Sequence, residues 1–139
     1  MQTTDNTQPK KLVLLVEDYD FAAESLQELI ESLDYNVIRV SNAGQGIDIC
    51  KEKDFQIVLL DVELLAFGAY WFTEEVRKSG QSMPIIGYKY LDVSPIIMAR
   101  ALDSGMQDVS THWVSRYMLV QTLNKWCPNH VTQNYKHYW

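Results

Sequence analysis

Short apolar runs alternate along this chain with longer stretches whose apolar residues recur at helical spacing. Two runs, Leu12–Val16 and residues 57–60, are continuously apolar, as is typical of strands buried on both faces of a parallel sheet. Asn36–Val40, residues 84–88 and residues 109–113 predict three further strands. Because right-handed crossovers place helices on both faces of such a sheet, the pattern predicts an α/β fold of five strand–helix units.

Polar caps and turn residues mark the ends of the predicted helices. Asp20 and Asn42 stand at the start of the first two helical stretches, where N-cap residues are favoured. Ser94-Pro95 combines a cap with a proline at the first helical position, and Gly105 is the predicted end of that helix. The third helix is expected around residues 72–78. These signals give each of the first four predicted strands a helix that can return the chain to the next one.

Length and composition favour a single domain. With 139 residues, of which 47% are hydrophobic, the chain can bury one core and not two. We expect the domain to span residues 10–128, between a polar lead-in at 1–9 and a tail at 129–139 that is rich in aromatic residues. The net charge of −6 argues against nucleic-acid binding, and no apolar run approaches the length of a membrane span. Two cysteines, Cys50 and Cys127, and an amino terminus without a signal-peptide core predict a cytoplasmic protein.

Three carboxylates follow the two most apolar strands. Glu17 and Asp18 come directly after the first strand, and Asp61 comes directly after residues 57–60. If the two strands are neighbours, the carboxylates meet at the carboxyl edge of the sheet, where open α/β sheets bind ligands. Two such charges about 4 Å apart repel each other by roughly 4 kcal/mol at an effective dielectric constant near 20. The cluster therefore needs a cation, or a proton on one of the acids.

The acid pair after strand one, the single aspartate after strand three and the five strand–helix units together resemble the response-regulator receiver family, the phosphoacceptor half of two-component signalling. The resemblance spans roughly residues 11–126. It implies a flavodoxin-like sheet in the order 2-1-3-4-5, in which the first and third strands are adjacent. It also implies that Asp61 accepts a phosphoryl group from a phosphohistidine. Glu17, Asp18, Asp61 and the backbone carbonyl of Glu63 are then the expected Mg²⁺ ligands.

The same resemblance implies a signalling module rather than an enzyme. Its expected partners are a histidine kinase or a phosphotransfer protein, which supplies the phosphoryl group, and a downstream protein that receives the signal. A homodimer is left open. Output is expected through protein contacts, because the chain offers no recognisable effector domain.

Several positions depart from the family pattern, so the chain resembles an atypical member. Lys89 stands where the family has a hydroxyl residue at the end of strand four, and His112-Trp113 replaces its strand-five lysine and cis-proline. The switch aromatic three residues before that lysine corresponds to Val109. The acceptor and metal ligands are therefore retained, whereas the residues that report phosphorylation are changed.

Lys89 leaves three interpretations open. Its ammonium can contact the phosphoryl oxygens, can form a permanent salt bridge to Asp61, or can extend into solvent. His112 is either a group near the phosphoryl oxygens that charges at mildly low pH, or an ordinary histidine at the end of a strand. Two signalling functions remain: a working phosphoacceptor with altered readout, and a phosphorylation-independent pseudo-receiver in which Lys89 bridges the acids. A small haloacid-dehalogenase-like phosphatase using Asp18 is a remote alternative.

Overall fold

The computed structural model describes residues 11–111 and 116–127 of the chain. The strands and helices alternate along these residues, with a short 3-10 turn before the third helix. In chain order they are β1 (Leu12–Val16), α1 (Asp20–Glu31), β2 (Asn36–Val40), α2 (Ala43–Glu52), β3 (Ile57–Asp61), the 3-10 turn (Leu65–Phe67), α3 (Gly68–Lys78), β4 (Ile85–Lys89), α4 (Pro95–Ser104), β5 (Asp108–Thr111) and α5 (Arg116–Trp126). The five strands are parallel and lie in the order β2-β1-β3-β4-β5, which confirms the predicted fold class.

The two faces of the sheet carry separate hydrophobic clusters. On one face, α1 and α5 pack against alternate strand residues, so that Leu26 and Leu119 share a cluster with Leu59. On the other face, α2, α3 and α4 cover the remaining strand residues, and Leu60 shares a cluster with Phe72. Because the side chains of a strand alternate between the two faces, covering both faces explains why the strands are apolar throughout.

Three predicted helix ends are confirmed. The side-chain oxygen of Asn42 accepts the N–H of Gln45 at 2.9 Å, and the hydroxyl of Ser94 accepts the N–H of Ile97 at 3.2 Å. Gly105 ends α4 with a φ of +116°, a left-handed conformation that glycine adopts without strain. These local signals therefore place the starts of α2 and α4 and the end of α4 where the sequence predicts them.

The predicted starts of two other helices are wrong. Tyr19 occupies the N-cap position of α1 without a side-chain hydrogen bond, and Asp20 is the first helical residue. Asp20 instead forms an ion pair with Arg39 at 2.9 Å. Its negative charge in the first turn still interacts favourably with the helix dipole. The third helix begins at Gly68, earlier than the predicted residues 72–78.

Several predictions fall on residues outside the described ranges. These are the lead-in at 1–9, the tail at 129–139 and the last two residues of the predicted fifth strand, so the domain limits stay predictions.

Cys50 and Cys127 are both buried and free of disulfide bonds. None of the helices in the described ranges combines the length and the apolar character needed to cross a bilayer.

Candidate functional site

The three carboxylates meet at the carboxyl edge of the sheet, as the sequence predicts. β1 and β3 are neighbours, and Val16 is paired with Leu60, so the residues that follow them are adjacent. Glu17, Asp18 and Asp61 each offer one carboxylate oxygen, and these three oxygens lie within 4.8 Å of one another. We call this group of three residues the acidic pocket. Carboxylate charges at these distances repel one another, so the acidic pocket calls for a cation or a bound proton.

Burial divides the acidic pocket into two parts. Only 1% of the Glu17 surface and 5% of the Asp61 surface reach solvent, whereas Asp18 is exposed. Two carboxylates are therefore largely removed from water, so they depend on the protein for hydrogen-bond partners. The third remains hydrated and in reach of a ligand that approaches from solvent.

Glu17 is held at both its carboxylate and its backbone. The Tyr88 hydroxyl donates to Oε1 at 2.6 Å, and the backbone N–H of Tyr19 donates to Oε2 at 3.2 Å. The guanidinium of Arg39 donates twice to the backbone carbonyl of Glu17, at 2.9 and 2.7 Å. A buried carboxylate is tolerated when such donors replace its lost water.

The surroundings of Asp61 change its ionisation. Burial raises the pKa of Asp61 to about 7, and the charges of Glu17 and Asp18 act in the same direction. The backbone N–H of Glu63, which donates to Oδ1 of Asp61 at 2.8 Å, opposes this shift and lowers the pKa. No lysine or arginine of residues 11–111 and 116–127 forms an ion pair with any of the three acids. Within these residues, the three carboxylates therefore have no side-chain cation paired directly with them.

Lys89 does not supply that charge directly. It ends β4 with its side chain 16% exposed, and its Nζ lies 3.8 Å from Oε2 of Glu63. The salt bridge from Lys89 to Asp61, one of three interpretations of the sequence, is absent from the described residues. The ammonium is paired with the acid two positions after Asp61 instead.

Two predicted site features stay predictions. His112 lies outside the described residues, so its role near the phosphoryl oxygens stays a prediction. In the structure the backbone N–H of Glu63 donates a hydrogen bond to Asp61. The role of the Glu63 carbonyl as a metal ligand stays a prediction.

Tyr88 and Arg39 are site residues that the sequence analysis missed. The pairing of Asp61 with Tyr88 across β3 and β4 places this tyrosine beside the acidic pocket. Its side chain lies in the cluster under α1 and α5, together with Leu15 and Leu59. The available signal was strand alternation, because residues 57, 59 and 61 share one face and their β4 neighbours 86 and 88 share it too.

Comparison with known proteins relates this chain to one family. The family model of the response regulator receiver domain matches residues 13–124. The sensor histidine kinase RcsC of Salmonella typhimurium is 26% identical over 130 residues, which cover 88% of this chain and 13% of RcsC. The cell cycle response regulator CtrA of Brucella ovis is 34% identical over 74 residues, covering 53% of this chain and 32% of CtrA. The chain thus spans less than a third of each of these two relatives.

Solved structures agree on the fold. The receiver domain of the sensor histidine kinase PA1611 from Pseudomonas aeruginosa, which holds a magnesium ion in its active-site cleft, superposes with a TM-score of 0.77 at 24% identity. The match covers 86% of this chain and 99% of that domain. The chemotaxis protein CheY4 of Vibrio cholerae gives a TM-score of 0.79 at 18% identity, with 85% and 99% covered. At these identities the likeness concerns the fold alone.

Proposed function

We propose that this chain, which belongs to the response regulator receiver family and is a receiver domain of two-component signalling, accepts a phosphoryl group on Asp61. The observation that carries the proposal is the acidic pocket, whose three carboxylate oxygens lie within 4.8 Å of one another. The proposed donor is a phosphohistidine on a histidine kinase or a phosphotransfer protein. The family match also favours this role for the acids over the phosphatase alternative based on Asp18.

In the proposed transfer, an ionised carboxylate oxygen of Asp61 attacks the phosphorus of the phosphohistidine. The new O–P bond forms as the P–N bond breaks, and the electron pair of the broken bond stays on the imidazole nitrogen, which takes up a proton. The product is an acyl phosphate on Asp61. Such a transfer asks the protein chiefly for positioning and for compensation of charge. The Glu63 N–H, 2.8 Å from Oδ1, fixes the orientation of the accepting carboxylate.

The acidic pocket fits Mg²⁺. Glu17, Asp18 and Asp61 present hard oxygen ligands, which Mg²⁺ prefers, and the Glu63 carbonyl is the proposed fourth protein ligand. When bound, the ion would supply positive charge that offsets the carboxylates and the phosphoryl oxygens. The magnesium in the cleft of the PA1611 receiver domain supports this assignment by analogy of fold.

The ionisation of Asp61 supports the need for a cation. The aspartate must be ionised to attack, whereas burial raises its pKa to about 7 in the metal-free protein. A nearby positive charge favours the ionised form. Lys89, the lysine at the end of β4, is paired with Glu63 and does not bridge to Asp61. A divalent cation is therefore the proposed source of this charge.

A second candidate function is a pseudo-receiver that binds its partner whether or not Asp61 is phosphorylated. The observation in its favour is the replacement of the family's strand-four hydroxyl by Lys89, whose ammonium is engaged with Glu63 at 3.8 Å. The two candidates share the fold and the pocket and differ in whether Asp61 reacts. In both, output passes through protein contacts.

We also propose a cytoplasmic location, in keeping with the two buried free cysteines.

Incubation with Mg²⁺ and acetyl phosphate, followed by intact-mass measurement, tests the proposed function. We expect a mass increase of one phosphoryl group in the wild type, its loss in Asp61→Asn, and its loss on adding EDTA. Beryllofluoride should shift the amide resonances around Asp61 and Glu63 under the same conditions. A wild type that stays unmodified, and unperturbed by beryllofluoride, while remaining folded would favour the pseudo-receiver.

A further inference from the structure

Tyr88 lies beneath the acidic pocket with no part of its side chain in contact with solvent. It is among the largest fully buried side chains in the described ranges, and its ring belongs to the cluster under α1 and α5. Its hydroxyl donates to Oε1 of Glu17 at 2.6 Å. A phenol therefore connects the hydrophobic core directly to one of the three carboxylates.

This hydrogen bond joins two groups that each need a partner. A buried hydroxyl or carboxylate without one loses its hydration and is strongly disfavoured, whereas a hydrogen bond to an ionised carboxylate is stronger than one between neutral groups. A carboxylate oxygen can only accept a hydrogen bond, so the phenol is the donor in this pair. The direction of the bond is thus fixed.

The rest of the Glu17 environment leaves room for a ligand. An ionised carboxylate has about four acceptor positions. Tyr88 and the N–H of Tyr19 each use one, on Oε1 and Oε2 respectively, and the Asp61 carboxyl shares a further hydrogen bond with Glu17 in the metal-free protein. Arg39 also holds the backbone carbonyl of Glu17, so that both the backbone and the carboxylate of this residue are fixed. The remaining acceptor positions are presented from a carboxylate that is held in place.

We propose that Tyr88 is a positioning residue that holds the Glu17 carboxylate in the acidic pocket and so sets the affinity and selectivity of the pocket for Mg²⁺. This inference rests on the proposed function, since it assigns the same pocket to the ion. Mg²⁺ is small and demands nearly octahedral ligands, whereas Ca²⁺ accepts looser arrangements. Loss of the Tyr88 bond should therefore weaken Mg²⁺ binding more than Ca²⁺ binding.

The test compares Tyr88→Phe with a matched control, Tyr35→Phe. Tyr35 is also buried in the cluster under α1 and α5, and its hydroxyl is hydrogen-bonded to Cys127. It differs from Tyr88 in its position, because it precedes β2 at the amino edge of the sheet, far from the acidic pocket. Mg²⁺ and Ca²⁺ affinities of the full chain are measured by calorimetry or by amide shifts. We expect Tyr88→Phe to weaken Mg²⁺ binding about tenfold or more, as loss of a group that orients a metal ligand does. Ca²⁺ binding should change less, and Tyr35→Phe should change neither.

A second background separates positioning from a general loss of structure. Glu17→Asp keeps the charge but shortens the side chain by one methylene, which withdraws it from Tyr88. In that background we expect Tyr88→Phe to have little further effect on Mg²⁺ affinity, because the bond is already lost. If Tyr88→Phe fails to fold, the Tyr88 Cζ resonance of the wild type should shift on adding Mg²⁺ while that of Tyr35 does not.

The outcomes are distinguishable. Unchanged Mg²⁺ affinity in folded Tyr88→Phe, an equal loss in Tyr35→Phe, or the same loss in the Glu17→Asp background would overturn the role of Tyr88 and leave the proposed function standing. A Tyr88 Cζ resonance that does not respond to Mg²⁺ would overturn it as well. A wild type that binds no Mg²⁺ at millimolar concentration would overturn both.

Discussion

The ammonium nitrogen of Lys89 lies 3.8 Å from Oε2 of Glu63, so the cation at the end of β4 pairs with the loop after β3 and not with Asp61. The Glu63 side chain is half exposed, and ion pairs at such sites contribute about 1 kcal/mol or less. An interaction of this strength restrains the lysine without holding it in one position. Lys89 can therefore be displaced by a ligand that reaches the pocket.

Replacing Lys89 by threonine tests this arrangement. Because Lys89 does not occupy the acids, we expect Lys89→Thr to change the Mg²⁺ affinity by no more than about threefold and the free energy of unfolding by less than about 1 kcal/mol. Glu63→Gln, which removes the other partner, is the matched variant and should give a similarly small loss of stability. A rise in Mg²⁺ affinity of about tenfold or more in Lys89→Thr would show that the lysine bridges the pocket in solution.

The metal-free protein should lose stability as the pH rises through neutrality. The pKa of Asp61 is raised to about 7 in the folded state, whereas an unfolded aspartate titrates near 4. The folded state therefore binds the proton more tightly, and the resulting stability is complete below about pH 4 and is lost as the pH approaches and passes about 7. For one proton the slope is at most about 1.4 kcal/mol per pH unit.

Urea unfolding in EDTA between about pH 5 and pH 8 measures this effect. We expect the free energy of unfolding to fall more steeply with pH in the wild type than in Asp61→Asn, which lacks the titrating group. Mg²⁺ should reduce the fall, because it favours the ionised carboxylate. Parallel curves for the wild type and the variant would contradict the raised pKa of Asp61.

Gly87 on β4 is required by close packing against Val62, the residue after Asp61. A Cβ at this position would lie 2.6 Å from Cγ1 of Val62 and 3.0 Å from the sulfur of Met106. Val62 is buried and its β-branched side chain has few alternative rotamers, so it cannot move away easily. We expect Gly87→Ala to destabilise the protein by about 1–3 kcal/mol, as overpacking does.

Chemical denaturation of Gly87→Ala alone and with Val62→Ala tests the cause. The second substitution removes the clashing methyl, so the double variant should be more stable than the sum of the single effects predicts. Gly44→Ala serves as the control, since its Cβ meets only ordinary contacts, the nearest at 3.5 Å. That change should be neutral or stabilise the protein by up to about 1 kcal/mol. Additive effects of Gly87→Ala and Val62→Ala would exclude the clash as the cause.

Much of the fold and the centre of the site could be predicted because they depend on periodicity and on strand ends. Continuous apolar runs predicted a sheet covered on both faces, and Leu14 and Leu15 do pack on opposite sides. The convergence of Glu17, Asp18 and Asp61 needed only the adjacency of β1 and β3, which came from the resemblance to the receiver family. These predictions use one strand or one neighbouring pair at a time.

What could not be predicted depends on register or on unusual backbone geometry. The contact of Tyr88 with Glu17 joins β4 to the end of β1 across β3, and so it requires the registers of two strand pairs together. The early start of α3 follows a tight turn in which Ala66 and Phe67 take φ values of 58° and 57°. These residue types rarely adopt that conformation, so the sequence carried no signal for it.

Arg39 supplies a further test, because its contacts are of two kinds. Its guanidinium donates twice to the backbone carbonyl of Glu17 and forms an ion pair with Asp20, whose side chain is 81% exposed. The partly buried hydrogen bonds should stabilise the loop after β1 far more than the exposed ion pair does. We expect Arg39→Met to lower the free energy of unfolding by about 1–3 kcal/mol, and Asp20→Asn to lower it by less than about 1 kcal/mol.

Arg39→Lys should recover little of the stability lost in Arg39→Met, because an ammonium lacks the planar fork that reaches both the carbonyl and Asp20. Urea unfolding in EDTA compares the three variants without contributions from bound metal, and equal losses in Asp20→Asn and Arg39→Met would instead assign the stabilisation to the ion pair.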